Sequence, residues 1–523
     1  MSHPVMNRRT VLALAGGAAV AGSAFWAGVT TSTPAYAAGT DPDRPKRQFR
    51  AMWLSSVVNI DWPSRTGLTA QQQRDEFVAW LDLAVELNLN AIICQVRPTA
   101  DAFWPSRYEP WSQYLTGSQG GDPGYDPMAF QLAEARKRNL EYHAWFNPYR
   151  VSMQTDPAKL VPTHPVRVNP DWAFAYGGKL YYNPGIPEVR RFVEDAMLDA
   201  VGRYDLDGVH FDDYFYPYPS GTTPYPDADT FTRYGGGFAR IEDWRRDNIN
   251  RLVQEMHERI HAQKPWVKFG ISPFGIWRNA SADPLGSDTS GTQSYDAISA
   301  DSRKWVKQGW VDYINPQIYW QIGLPVADYA KLMPWWADVV AGTDVALYIG
   351  QATYKVTSGA FTDPNELANH LALNQAHPEV EGDVWFSAKD VRLDAKGATS
   401  RMVEKYYSRP AIIPVITHLG GRAPAAPVAM NARRQGQQVQ LRWNFRGPTG
   451  PTSYAIWRLP GRVTPTADQL ADATHLVDTV RAQTDQRVQT WVDTDAPSGP
   501  VTYVVTAYDR LWNESAPSRP LTA

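Results

Sequence analysis

The sequence predicts a (β/α)8 (TIM) barrel followed by a smaller all-β sandwich, and three observations predict it. Between about residues 48 and 412, eight short β-rich runs alternate with longer segments of helical period. Within several runs one parity is wholly apolar and the other polar, as expected of barrel strands that face helices outside and a lumen inside. Beyond about residue 413 the helical period disappears and short alternating runs separated by turn residues take over.

The eight candidate strands lie in order at 50–57, 90–97, 140–147, 207–213, 267–274, 311–319, 346–354 and 382–389. The first intervening segment shows the helical logic clearly, with apolar residues at 77, 80, 81, 84 and 87 and Thr69 as a start signal. In the second strand the lone cysteine, Cys94, has no partner, which excludes a disulfide framework and a cysteine metal site and leaves a small core residue. Residues 413–426, rich in Pro, Ala and Gly, read as a linker. Residues 427–523 contain "QQVQLRWNF", "TSYAIWRLP", "LVDTV", "TWVDTD" and "TYVVTAYD", short strands of a sandwich. No catalytic pattern occurs there.

Charge excludes some partners. The balance of 51 basic against 54 acidic residues, net -3, gives no clustered cation for nucleic acid or an anionic membrane. The 21 Trp, 26 Tyr and 17 Phe suit flat ligand faces such as sugar rings. At the amino end, Arg8 and Arg9 precede a short, interrupted apolar stretch and a small-residue site at Ala35 and Ala37. This reads as a twin-arginine signal peptide over 1–37, so the mature chain is expected to be secreted or held in the cell envelope. No membrane span is expected in the mature chain.

Strand parity converts the sequence into a site. In the fourth strand Val209 and Phe211 form the apolar parity, which turns His210 and Asp212 inward, Asp212 at the carboxyl end where barrel sites lie. The same rule turns Gln95 and Arg97 inward from the second strand, His143, Trp145 and Asn147 from the third, and Tyr313, Asn315, Gln317 and Tyr319 from the sixth. Singly, His143 is more ordinarily a core hydrogen bonder than a ligand. Several polar groups converging on one space would cost a few kcal/mol each to bury without partners, which favours a wet cleft.

Asp212 is the candidate nucleophile or base, its charge favoured by neighbouring Arg and His. Glycoside hydrolysis needs a second carboxyl group, and Asp213 and Asp101 rank level for that role; Asp390, after the eighth strand, also stands near. Substrate contacts are expected from Arg97, His143, Asn147, Tyr149, His210, Asn315, Gln317 and Tyr319, with Trp104, Tyr214 and Trp320 as aromatic platforms. No cofactor or metal is expected. A metal site of His143, His210 and Asp212 lacks the His-x-His pair that usually opens such barrels, and no Gly-x-Ser-x-Gly elbow points to a serine nucleophile.

The segments "FRAMWLSSVVNIDWPS", "NAIICQVRPTADAFWPSRYEPWSQYLTG", "HAWFNPYR", "DGVHFDDYFYPYP" and "YINPQIYW" resemble the glycosyl hydrolase-like 10 family of bacterial proteins. The resemblance covers nearly all of 48–410 and implies a barrel glycosidase of the cell envelope, acting on a polysaccharide such as peptidoglycan glycan strands. A Pro-rich start, Trp443, Tyr454 and "YVVTAYD" ahead of "NESAPS" make the last 100 or so residues similar to a fibronectin type III module. The competing reading is a non-catalytic polysaccharide-binding protein, which an incomplete carboxyl pair would favour.

Overall fold

A computed structural model describes residues 44–445 and 450–523; the proposed signal peptide over 1–37 lies outside the described residues. Eight parallel strands close a barrel: β1 (Phe49–Leu54), β2 (Ala91–Arg97), β3 (Glu141–Phe146), β4 (Gly208–Phe211), β5 (Lys268–Ile271), β6 (Tyr313–Ile314), β7 (Ala346–Ala352) and β8 (Val380–Phe386). Each falls within one expected run or overlaps it. β1 closes the ring by pairing with β2 on one side and β8 on the other. The main crossover helices are α1 (Ala70–Glu86), α2 (Pro127–Lys137), α3 (Pro187–Arg203), α4 (Ile241–Gln263), α5 (Ser302–Lys307), α6 (Tyr329–Val340), α7 (Glu366–Gln375) and α8 (Ala388–Leu393).

Local chemistry sets these elements. α1 starts at Thr69, whose side chain accepts from the Gln72 N–H while the Gln72 side chain returns to the Thr69 N–H, a reciprocal cap. Its Phe77, Trp80, Leu81 and Ala84 are buried on the barrel side. The outward parity of the strands, including Ile92, Cys94, Ala144, Val209 and Phe211, packs in one core under the helices. The inward parity, including Phe49, Ala51, Trp53, Ile93, Trp145 and Tyr313, fills the lumen. Glycines make room there: a Cβ at Gly270 would sit 2.1 Å from the Tyr313 ring, and one at Gly208 would sit 2.5 Å from His143.

Beyond the barrel, β9 (Val428–Gln435), β10 (Gln438–Asn444), β11 (Ser453–Pro460), β12 (Leu476–Arg481), β13 (Val488–Asp493), β14 (Val501–Tyr508) and β15 (Leu521–Thr522) form two antiparallel sheets. Their orders are β9-β10-β13 and β12-β11-β14-β15. The four-stranded sheet closes the amino-terminal end of the barrel. Ile412, Ile413, Ile416, Trp457, Tyr508 and Trp512 belong to the same apolar core as the lumen residues. Trp512 donates its indole N–H to Glu141 at 2.6 Å, and Ser453 donates to Asn139 at 2.6 Å. The stretch expected as a linker therefore begins as packed chain: Ile413 and Ile416 are buried, and Ile412 exchanges backbone hydrogen bonds with Lys46 and Gln48. None of the helices among the described residues is long and apolar enough to cross a membrane.

Candidate active site

At the carboxyl end of the barrel lies a cavity of about 380 Å³ whose lining includes Asp212, Asp213, Gln317 and the aromatics Trp53, Trp145, Tyr214, Tyr218, Tyr319 and Trp320. Among the described residues, Asp212 and Asp213 are the only carboxylates that line it. Both come directly after β4, where the chain leaves the barrel, so adjacent side chains that would diverge within a strand both face the cleft. Asp212 accepts from Trp145 Nε1 at 3.1 Å, from Asn147 Nδ2 at 3.1 Å and from the Tyr214 backbone N–H at 3.2 Å. Asp213 is bonded to the Tyr218 hydroxyl and accepts from Gln317 Nε2 at 3.1 Å.

Burial pushes the Asp212 carboxyl up to about 6, with Arg150 opposing the rise and the Asp213 charge adding to it. Burial raises Asp213 as well, against the Tyr218 and Gln317 hydrogen bonds. Two like charges this close resist simultaneous ionisation, so the pair holds one proton in mildly acid solution.

The structure sorts the remaining candidates. Tyr214, Gln317, Tyr319 and Trp320 line the cavity, and Asn147 stands behind it, where it orients Asp212 and accepts the Arg150 N–H at 3.0 Å. Asn315 is fully buried, and neither its Oδ1 nor its Nδ2 makes a hydrogen bond among the described residues.

Arg97 is a correction. Gln95 pairs with Trp145 but Arg97 pairs with Phe146, so Val96 is an extra residue and the bulge swings Arg97 away from the lumen. Its guanidinium instead donates to Glu109 at 2.5 and 2.6 Å, both side chains being wholly buried. Replacing Arg97 with Met should strand the Glu109 carboxylate and destabilise the chain by about 3–5 kcal/mol. Replacing both, as Arg97→Met with Glu109→Leu, should recover most of that loss in a denaturant titration.

Asp101 also lies outside the lining. It is fully buried, accepts from the Thr99 N–H and hydroxyl at 3.2 and 3.1 Å, and burial raises its carboxyl to about 7. It shapes the β2 loop. Asp390, another residue outside the lining, accepts from Ser387 at 3.1 Å. Trp104 packs in the helix-side core and donates to Asp199 at 3.1 Å, so it is no sugar platform. Tyr149 is likewise buried in that core.

His143 and His210 sit inside the barrel, in a wire of hydrogen bonds rather than in the cleft lining. An indole N–H only donates, so His210 Nε2 accepts from Trp53 at 3.1 Å and its proton resides on Nδ1. His210 Nδ1 then donates to the Tyr313 hydroxyl at 3.0 Å, which donates to His143 Nδ1 at 2.9 Å. His143 Nε2 donates to Glu141 at 3.0 Å, and Glu141 also receives Lys268 Nζ at 2.6 Å. Burial keeps His210 neutral, well below the ordinary histidine range.

Several lining residues were absent from the sequence-derived set. Gln95 had the right parity; its Oε1 accepts the Ser56 and Val57 N–H groups at 3.1 and 2.9 Å, while its buried Nε2 has no partner among the described residues. Arg150 ends "HAWFNPYR" and lies 4.9 Å from the Tyr214 ring. Tyr354, Lys355 and Phe386 arrive from the seventh and eighth units, and no local pattern marks them.

A family model described as glycosyl hydrolase-like 10 matches residues 48–367. The chain is 45% identical over 487 residues to glycosyl hydrolase YngK of Bacillus subtilis (strain 168), covering 91% of this chain and 93% of that one. It is 42% identical over 377 residues to glycosyl hydrolase DigH of Escherichia coli (strain K12), covering 67% of this chain and 86% of that one. Among solved structures, the glycoside hydrolase domain of PgaB (BpsB) from Bordetella bronchiseptica aligns with TM-score 0.45 and 12% identity, over 68% of this chain and 98% of that one.

Proposed function

Because the chain belongs to the glycosyl hydrolase-like 10 family and is a glycoside hydrolase, we propose that it cleaves peptidoglycan glycan strands with Asp212 and Asp213 as its reacting carboxyls. The observation that carries the assignment is the adjacent pair in an aromatic-lined cleft with no other carboxylate in its lining among the described residues. Hydrogen bonding divides the roles. Asp212 is held by three N–H donors, none of which can accept, so it is kept as the carboxylate that attacks the anomeric carbon or activates water. Asp213 faces the Tyr218 hydroxyl, which can accept as well as donate, so the shared proton rests there and passes to the leaving oxygen.

Two features support an acidic glycan. Arg150 and Lys355 bring positive charge to the same cleft, complementary to the lactyl carboxylate of N-acetylmuramic acid. The aromatic walls suit the apolar faces of the sugars. The test is digestion of purified glycan strands, with and without stem peptides, followed by mass spectrometry. Sugar fragments from the denuded strands support the assignment, and intact strands beside cleavage of another polysaccharide overturn it.

The pH dependence follows from the shared proton. As pH rises through the raised range of the pair it loses that proton, the acid disappears, and kcat/KM should fall; well below that range the attacking carboxylate is protonated and the rate should fall again. A bell-shaped profile, with its alkaline limb above the ordinary carboxylate range, is therefore expected on denuded strands.

Export and attachment complete the reading. The Arg8–Arg9 signal supports twin-arginine export, and the secreted chain should begin at Ala38 when its amino end is sequenced. The three-plus-four strand order supports a fibronectin type III-like module that closes the barrel rather than carrying chemistry.

A further inference from the structure

We propose a transition-metal site, of the kind that takes Zn²⁺, at the amino-terminal end of the barrel, built from His257, His261 and Asp312 and remote from the glycan cleft. His257 and His261 stand four residues apart on α4, so both rings leave one face of the helix. Asp312 immediately precedes β6 and is fully buried. One donor atom from each of the three lies within 4.8 Å of the other two. His261 Nε2 and Asp312 Oδ2 are 3.1 Å apart, a spacing that two ligands of one metal with bonds of ~2.0–2.1 Å adopt at an angle of roughly 100°.

Two further observations point to a ligand rather than to a simple ion pair. The Nδ1 atom of His257 is shielded from solvent yet has no hydrogen-bond partner among the described residues, which is costly for an imidazole with no role. The second carboxylate oxygen of Asp312 is held by His418 Nε2 at 2.7 Å, and Oδ2 also accepts the Phe269 N–H at 2.6 Å, so the carboxylate is oriented by an outer set of donors as in metal sites. Two imidazoles and a carboxylate suit Zn²⁺, Co²⁺ or Ni²⁺ rather than Ca²⁺ or Mg²⁺. The ion would tie α4 to the start of β6, and His418, in the segment that leads from the barrel to the terminal sheets, is joined to the same carboxylate by its hydrogen bond.

The test is Zn²⁺ binding to the tag-free mature chain by equilibrium dialysis with metal analysis, together with thermal unfolding. One Zn²⁺ per chain and a rise in Tm are expected, both lost in His257→Gln and in His261→Gln. His418→Gln, which touches only the outer oxygen, should weaken binding ~10–100-fold. Co²⁺ added to the parent chain should give the visible absorption of a tetrahedral site, a readout that needs no variant. Glycan cleavage by the histidine variants verifies that they fold. Failure of the parent chain to bind Zn²⁺ or Co²⁺, or stoichiometric binding that survives both histidine substitutions, overturns the site.

Discussion

Asp212→Asn and Asp213→Asn are each expected to fold like the parent chain and to hydrolyse the proposed glycan substrate ~10²–10⁴-fold more slowly, the range lost with a positioned acid, base or nucleophile. The two should differ in character. Asn at 212 keeps an oxygen for Trp145 and Asn147 but cannot attack or take a proton, so its loss should appear in kcat at every pH. Asn at 213 removes the proposed proton donor and also the like charge that raises Asp212, so the alkaline limb should vanish with the rate. Substrates with a good leaving group, which need little protonation, should recover activity in Asp213→Asn and not in Asp212→Asn. Equal activity of either variant and the parent chain would remove the pair from the chemistry.

Removing the terminal sheets should unfold the barrel rather than liberate it. Residues of β11 and β14 share one apolar core with the lumen, and Trp512 covers it while bonded to Glu141. A chain ending at residue 412 would expose that core and should aggregate. Trp512→Ala is the measured form of the same argument: a buried Trp deleted from a core costs about 3–5 kcal/mol. Guanidinium unfolding of the parent chain, followed by Trp fluorescence and circular dichroism, should give one coincident transition. Two separated transitions, with Trp512→Ala affecting only the later fragment, would show the barrel and the sheets to be independent.

The barrel was legible because its signals are local. Eight runs, the Thr69 cap and the parity of Val209 and Phe211 each depend on neighbours a few residues away, and all reappear in the folded chain. The carboxyl end of β4 likewise marked Asp212 and Asp213 by position alone. Parity failed where a single bulge intervened: one extra residue at Val96 reversed the direction of Arg97, and the alternation up to it carries no warning. Depth also escaped the pattern. His143 and His210 do point inward, but inward in the middle of a strand means the packed lumen, whereas inward at its end means the cleft.

The sequence by itself determined the barrel, its order of elements and the strand end that carries the carboxyl pair, because periodicity and burial are set by residues close in the chain. Tertiary structure alone decided that Asp101, Trp104 and Arg97 serve packing, that Lys355 and Phe386 reach the cleft, and that the last 100 or so residues seal the opposite end. Those outcomes depend on where loops return and which surfaces meet, and contacts between residues hundreds of positions apart leave no periodic mark on the chain.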